Sequence, residues 1–337
     1  MLQKQVIKYK KYMIIAKSPL RISLGGGGTD LPSYYKKFGG FLISATIDKH
    51  VYVSIAETFN KKFILKYSKL EEATNIKNIK HPIFRETLKY LKIKTPINIS
   101  SHADIPAGTG LGSSGSFTVS LIHALSKLKE LEIKLSKTQL AETACKIEIN
   151  ILREPVGKQD QYTAAFGGIN EYHFKKNGSV IVKKLKIRKK NINKLKKNLL
   201  IFFTGYSRSS YKILKSQDSR TKTLDKEMIY NLDEIKEIGI NSKECLEKGN
   251  LNDYGLILND HWALKKRRSS NISNKKINYL YDFAKANGAL GGKLIGAGGG
   301  GFLMFYTNNP NFLASKLKNQ GLNILNYNFD YEGSVLI

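Results

Sequence analysis

The run Asp104-Ile-Pro-Ala-Gly-Thr-Gly-Leu-Gly-Ser-Ser-Gly115 is followed at once by apolar residues at helical spacing: Phe117, Val119, Leu121, Ile122 and Leu125. Four glycines within positions 108–115 do not suit the interior of a helix or a strand. The segment must therefore be a loop that delivers the start of a helix. Peptide N–H groups at a helix start have no intrahelical acceptor and carry partial positive charge. Glycine lets a bulky anion come close to them. Ser113 and Ser114 add hydroxyls for a phosphate or for a phosphate-bound metal. Pro106, Gly108, Thr109, Gly110, Gly112, Ser113, Ser114 and Gly115 thus form a candidate phosphate cradle suited to a nucleoside triphosphate. It is not a Walker loop, because no lysine follows the last glycine, and its spacing is not that of the dinucleotide fingerprint.

Two further glycine clusters flank it in sequence. Lys17-Ser-Pro-Leu-Arg-Ile-Ser-Leu-Gly-Gly-Gly-Gly-Thr-Asp30 places consecutive glycines beside Thr29 and Asp30. There a sugar or phosphate can approach the backbone, and Asp30 can accept hydrogen bonds from hydroxyls; a flexible hairpin is the plainer reading. Gly296-Ala-Gly-Gly-Gly-Gly301 reads equally well as a place where two backbones pack closely.

The remaining features bound the answer. A chain of 337 residues with 41% hydrophobic and 25% charged residues has room for two globular domains. No apolar run is long enough for a bilayer, and no signal-peptide core follows Met1, so a cytoplasmic protein is expected. Met13 is an alternative start. Cys145 and Cys245 lack metal-ligand spacing and read as reduced thiols. The net charge of +29 fits nucleic acid, polyanionic substrates or simply a lysine-rich surface. Its densest run, residues 183–197, holds nine basic residues, no acid and no aromatics to stack on bases. It reads as solvated surface, and neither a nucleic-acid nor a membrane partner is expected.

Residues 13–24 read as a strand pair, 41–55 as strand with a turn near Asp48 and Lys49, and 63–67 and 97–101 as strands. The helix after Ser114 is expected to reach about residue 131. Ser136 and Gln139 form a capping box for the next helix, and a further helix around Asp160 ends at Gly167 and Gly168. Beyond 191, strands are expected at 199–204, 302–306, 324–329 and 335–336, with helices over 217–268 and 274–286. Strands and helices mix without regular βαβ alternation, which favours α+β. The lysine run suggests a boundary dividing the chain into domains 13–190 and 191–337.

In this order, the three glycine segments resemble the GHMP kinase superfamily, over residues 15–305 of the chain. The resemblance implies a ribosomal-S5-domain-2-like first domain, a ferredoxin-like second domain, and ATP and substrate in the cleft between them. Within that superfamily, residues 18–32, Thr204-Gly-Tyr-Ser-Arg-Ser-Ser210, His261-Trp-Ala-Leu-Lys-Lys-Arg267 and Gly288-Ala-Leu-Gly-Gly-Lys-Leu-Ile-Gly-Ala-Gly298 resemble D-glycero-D-manno-heptose 7-phosphate kinases. These phosphorylate O1 with ATP, on the route to GDP-heptose for surface polysaccharide such as lipopolysaccharide or capsule. L-fucose kinases share a similar first motif, and a non-catalytic sugar and ATP sensor is a third reading.

The resemblance assigns roles. Asp160, in Gly157-Lys-Gln-Asp-Gln161, matches the galactokinase segment with the catalytic aspartate, as base or as orienter; the plainer reading is a helix N-terminal carboxylate. Arg21 holds the family's basic position. Ser114 and Glu148 would hold Mg²⁺, with Glu142 as second choice and an exposed carboxylate as the plain reading of Glu148. Gly26, Gly27, Gly28, Thr29, Asp30, Gly298 and Gly299 would face substrate. Arg208 and Lys293, with Arg153 as a further candidate, would meet a sugar phosphate. His261 can contact sugar, whereas Trp262 reads as a core aromatic. A homodimer is compatible with this reading.

Overall fold

The computed structural model describes residues 13–128, 131, 133–206 and 211–337. One sheet gathers β1 (Ile14–Gly25), β2 (Gly40–Glu57), β3 (Phe63–Lys66), β4 (Leu70–Ala73), β5 (Ile97–Ala103), β6 (Ile169–Phe174) and β7 (Val180–Lys184). A second holds β8 (Leu199–Phe203), β9 (Ala289–Leu294), β10 (Phe302–Thr307) and β11 (Asn323–Ile324), in the order β11-β8-β10-β9. The last strand, β12 (Val335–Leu336), returns to the first sheet beside β1. The first sheet runs β12-β1-β2-β5-β3-β4, with β6 and β7 branching from β2. Among the described strands only the β3–β5 pair is parallel. The helices are α1 (Pro32–Phe38), α2 (Pro82–Tyr90), α3 (Ser113–Leu125), α4 (Lys137–Cys145), α5 (Gln159–Phe166) and α6 (Lys189–Asn198) in the first half. In the second half they are α7 (Tyr211–Lys222), α8 (Lys226–Lys248), α9 (Leu251–Arg267), α10 (Lys275–Ala286) and α11 (Pro310–Asn319). This is the expected α+β class.

The pair expected over 13–24 is one continuous strand, Ile14–Gly25. Within it the pairing register with β2 shifts between Pro19 and Leu20. Proline has no N–H to give a ladder and is tolerated at such an irregularity. On β2 the register passes from His50 to Ile47, leaving out Asp48 and Lys49. The expected turn is thus a bulge in a single strand. The two halves of β2 pair different neighbours: Gly40 to Ala45 with β6, Val51 to Glu57 with β5. Likewise, the segment expected as strand over 324–329 is strand only at Asn323–Ile324. From there it crosses back to the first sheet, where Phe329 bridges Ile47.

α3 stops at Leu125, short of residue 131, and is buried on nearly every side. Enclosed in this way, it holds its N-terminus in a fixed direction. α4 starts at the expected capping box, with Ser136 Oγ accepting from the Gln139 amide and Gln139 Oε1 accepting from the Ser136 amide. Ser136→Ala should lower stability by about 1 kcal/mol, read as a shift in a denaturant midpoint. α4 then runs into a π-helical turn, Lys146–Ile151. The wider turn changes which side chains face inward, and Glu148 is 2% exposed as a result.

One core cluster joins the layers: Leu20 and Ile22 from the first, Ile201, Met304 and Tyr306 from the second. The nine basic residues of 183–197 are all exposed, on β7, α6 and the link between them. Among the described residues no helix is long and apolar enough to cross a membrane.

Candidate active site

The three glycine segments meet in one cavity of about 720 Å³. The loop before α3 forms one wall. Gly112 is the N-cap of α3, in left-handed backbone at φ 80°. Ser116 N–H already donates to the Gly112 carbonyl at 3.0 Å, so the free amides are those of Ser113, Ser114 and Gly115.

Asp160, in the first turn of α5, lies against this loop. A Cβ on Gly115 would sit 2.6 Å from Asp160 Cβ. Arg21 on β1 clamps the two together. Its Nε and Nη2 each lie 2.8 Å from Asp160 Oδ1, and its Nη1 donates to the Gly110 carbonyl. Asp160 Oδ2 has no partner among the described residues. The carboxylate is therefore fixed through one oxygen and leaves the other for an incoming hydroxyl.

Glu148 faces the same cavity from the π-helical turn. Ser114 Oγ donates to Glu148 Oε2 at 3.0 Å, and Gln161 Nε2 donates to Oε1 at 3.1 Å. Burial pushes the Glu148 pKa up to about 7; the hydrogen bonds oppose the rise and the charge of Asp160 adds to it. Glu142 is elsewhere engaged: Lys158 Nζ donates to it at 2.8 Å, as does the Tyr162 hydroxyl. Asp30 accepts from the amides of Gly28 at 3.2 Å and Gln159 at 3.0 Å. Burial raises its pKa against the Gln159 amide, and Asp160 contributes to the rise.

The cavity is also lined by Pro106, Gly108, Gly110, Gly27, Gly28, Lys293 and Gly298. Some expected contacts are corrected. Thr29 is wholly buried and its hydroxyl donates to the carbonyls of Gly26 and Phe41 at 2.9 and 2.7 Å, so it ties the loop to β2 and, like Gly26, does not line the cavity. The Thr109 hydroxyl is spent on the Pro106 carbonyl at 2.9 Å, inside its own loop. Gly299 turns away and bonds the Ile272 carbonyl, and Arg153 does not line the cavity. Arg208 lies outside the described residues. Trp262 is 1% exposed and packs near Tyr281, as a core aromatic.

Sequence reasoning missed Lys265 and Arg268. Both are buried and both line the cavity, together with His261. The three stand at i, i+4 and i+7, one face running along and just past the end of α9, while Lys266 and Arg267 are exposed. That spacing was the available signal. It was hidden by four consecutive basic residues, which read as an ordinary solvated helix end.

Residues 76–168 match the model of the GHMP kinases N terminal domain and residues 242–323 that of the GHMP kinases C terminal domain. The D-glycero-alpha-D-manno-heptose 7-phosphate kinase of Campylobacter jejuni is 31% identical over 336 residues, covering 95% of this chain and 97% of that protein. The crystal structure of a D-glycero-D-manno-heptose 1-phosphate kinase from Bacteroides thetaiotaomicron superposes with a TM-score of 0.78 at 26% identity, over 96% of this chain and 98% of that one. An L-fucokinase/L-fucose-1-P guanylyltransferase of Bacteroides fragilis is 25% identical over 90% of this chain but only 35% of its own length. With a carboxylate clamped against a glycine loop, both domain models matched in order and a relative alike from end to end, the chain belongs to the GHMP kinases, a family of ATP-using phosphotransferases.

Proposed function

We propose that this kinase transfers the γ-phosphoryl group of ATP to O1 of D-glycero-D-manno-heptose 7-phosphate in the cytoplasm, giving the 1,7-bisphosphate and ADP. The observation that carries the chemistry is the juxtaposition of the free amides at 113–115 with the open Oδ2 of Asp160. The amides hold the β- and γ-phosphates. Arg21 neutralises charge at the transferring group. Asp160 Oδ2 accepts the O1 proton as the O1–P bond forms and the bond to the β-phosphate oxygen breaks. Phosphoryl transfer is loose, so positioning and charge neutralisation supply most of the rate.

Ser114 and Glu148 suit Mg²⁺: both offer oxygen, and the buried Glu148 carboxylate has no cation beside it among the described residues. When bound there, the ion would neutralise phosphate charge. Ser114→Ala should weaken ATP binding about tenfold in the presence of Mg²⁺ and not in EDTA. Equal affinity by titration calorimetry would remove Ser114 from the metal site. The adenine packs against Tyr67, His81 and Phe117, three aromatic side chains of the same cavity, with the rings of Tyr67 and His81 4.8 Å apart.

The test is ATP consumption over a panel of heptose 7-phosphate, heptose 1-phosphate, unphosphorylated heptose, L-fucose, galactose and mannose. Heptose 7-phosphate is expected to give the highest kcat/KM. A preference for L-fucose would transfer the protein to the fucokinase reading, which the 25% likeness keeps as the second choice.

A further inference from the structure

Lys265, Arg268 and Lys293 are 5%, 7% and 2% exposed. All three line the cavity, and among the described residues none makes an ion pair. A buried cation without a counter-charge is costly, and a cluster of them more so. Burial and mutual repulsion push Lys265 and Lys293 well below the usual lysine range, and burial brings Arg268 down to about 10.

Their hydrogen bonds separate their tasks. Lys265 Nζ is spent on the carbonyls of Leu294 and Gly296, and so holds the third glycine loop in place. Arg268 donates from Nη1 to Gln217 Oε1 at 3.1 Å, while its buried Nε has no partner. Lys293 Nζ meets His261 Nδ1 at 3.1 Å. Asp30, the acid whose charge Arg268 feels, is engaged by the amides of Gly28 and Gln159. The first glycine segment is shaped around the guanidinium. A Cβ on Gly28 would lie 2.2 Å from Arg268 Nη1, and Gln217 Nε2 donates to the Gly28 carbonyl at 2.9 Å. The triphosphate has its own donors in the loop before α3 and in Arg21. A neutral sugar would leave the second cationic group uncompensated.

We propose that Arg268 and Lys293, with His261 behind Lys293, form a subsite for the phosphate that the acceptor already carries, and so set the preference for a phosphorylated sugar. The inference rests on the acceptor reading above. The guanidinium grips the phosphate oxygens in a fork while the ammonium supplies a compact charge. Gln217 and Gly28 fix the guanidinium plane.

The test compares kcat/KM for heptose 7-phosphate and for unphosphorylated heptose in the wild type, Arg268→Met and Lys293→Met. In each variant the ratio of the two should fall about 100-fold, mainly through the KM of the phosphorylated sugar. A ratio unchanged from wild type overturns the subsite, as does an equal loss for both sugars. Because a buried cation can matter for folding, a second measurement uses the unaltered protein. Inorganic phosphate should inhibit competitively against heptose 7-phosphate at saturating ATP, and absence of competition overturns the proposal. If the wild type phosphorylates neither heptose, the acceptor reading alone falls. Inorganic phosphate should then still raise the melting temperature of the ATP-saturated protein and lose that effect in Arg268→Met; no shift in the wild type overturns the subsite.

Discussion

Asp160→Asn is expected to lower kcat about 1,000-fold while ATP affinity stays close to that of the wild type. Asparagine keeps the shape of the side chain and one carbonyl oxygen for the Arg21 fork, which contacts only Oδ1 at 2.8 Å. The amide nitrogen then replaces Oδ2, the atom without a partner. It can donate but cannot take the proton of the acceptor hydroxyl. The triphosphate is held by amides that do not involve Asp160, so binding should survive. Single-turnover phosphoryl transfer and equilibrium ATP binding separate the two effects. Wild-type turnover would show that Asp160 only supports the helix start. A parallel collapse of ATP binding would show that it shapes the loop rather than serving the acceptor.

Much of the site was legible because its chemistry depends on short runs of glycine and on charged residues with little else to do. Arg21, Asp160, Ser114 and Glu148 line one cavity as the sequence suggested. The inward turn of Glu148 was not legible, since it depends on a π-helical turn, Lys146–Ile151, that no capping residue or periodicity announces. Thr29 and Thr109 were read as ligand contacts because they stand within or beside the glycine runs that let a sugar or phosphate approach the backbone. In the fold those hydroxyls are consumed by backbone carbonyls, of Gly26 and of Phe41 on β2 for Thr29 and of Pro106 for Thr109, which single-sequence reasoning cannot foresee. The long strand β1 was read as a strand pair, and β2 as strand with a turn at Asp48-Lys49. In the fold each is one strand carrying an irregularity of pairing, at Pro19/Leu20 on β1 and at Asp48-Lys49 on β2. Which strand continues through a bulge is decided by the partners it finds, and those lie far off in sequence.

The third glycine loop packs against the phosphate loop, and its role gives the second large effect. Gly296 has φ 74°, and a Cβ there would lie 2.6 Å from both the Cα and the carbonyl oxygen of Gly110. Those atoms are backbone of the phosphate loop, so no flexible side chain can yield. Lys265 pins the Gly296 carbonyl from the other side. Gly296→Ala must therefore move the phosphate loop, and with it the Gly110 carbonyl that Arg21 holds. Misplacement near 1 Å at a phosphoryl-transfer site costs about 100-fold in kcat/KM for ATP. Gly288→Ala supplies the control. Gly288 has φ 92°, but a Cβ there meets nothing within 4 Å. Left-handed backbone should cost each variant about 1 kcal/mol of stability, and Gly296→Ala more because of its backbone clash, whereas only Gly296→Ala should lose ATP kinetics. Equal kinetics in the two would mean that the second layer merely covers the nucleotide site, and that the loop before α3 keeps its shape without a brace.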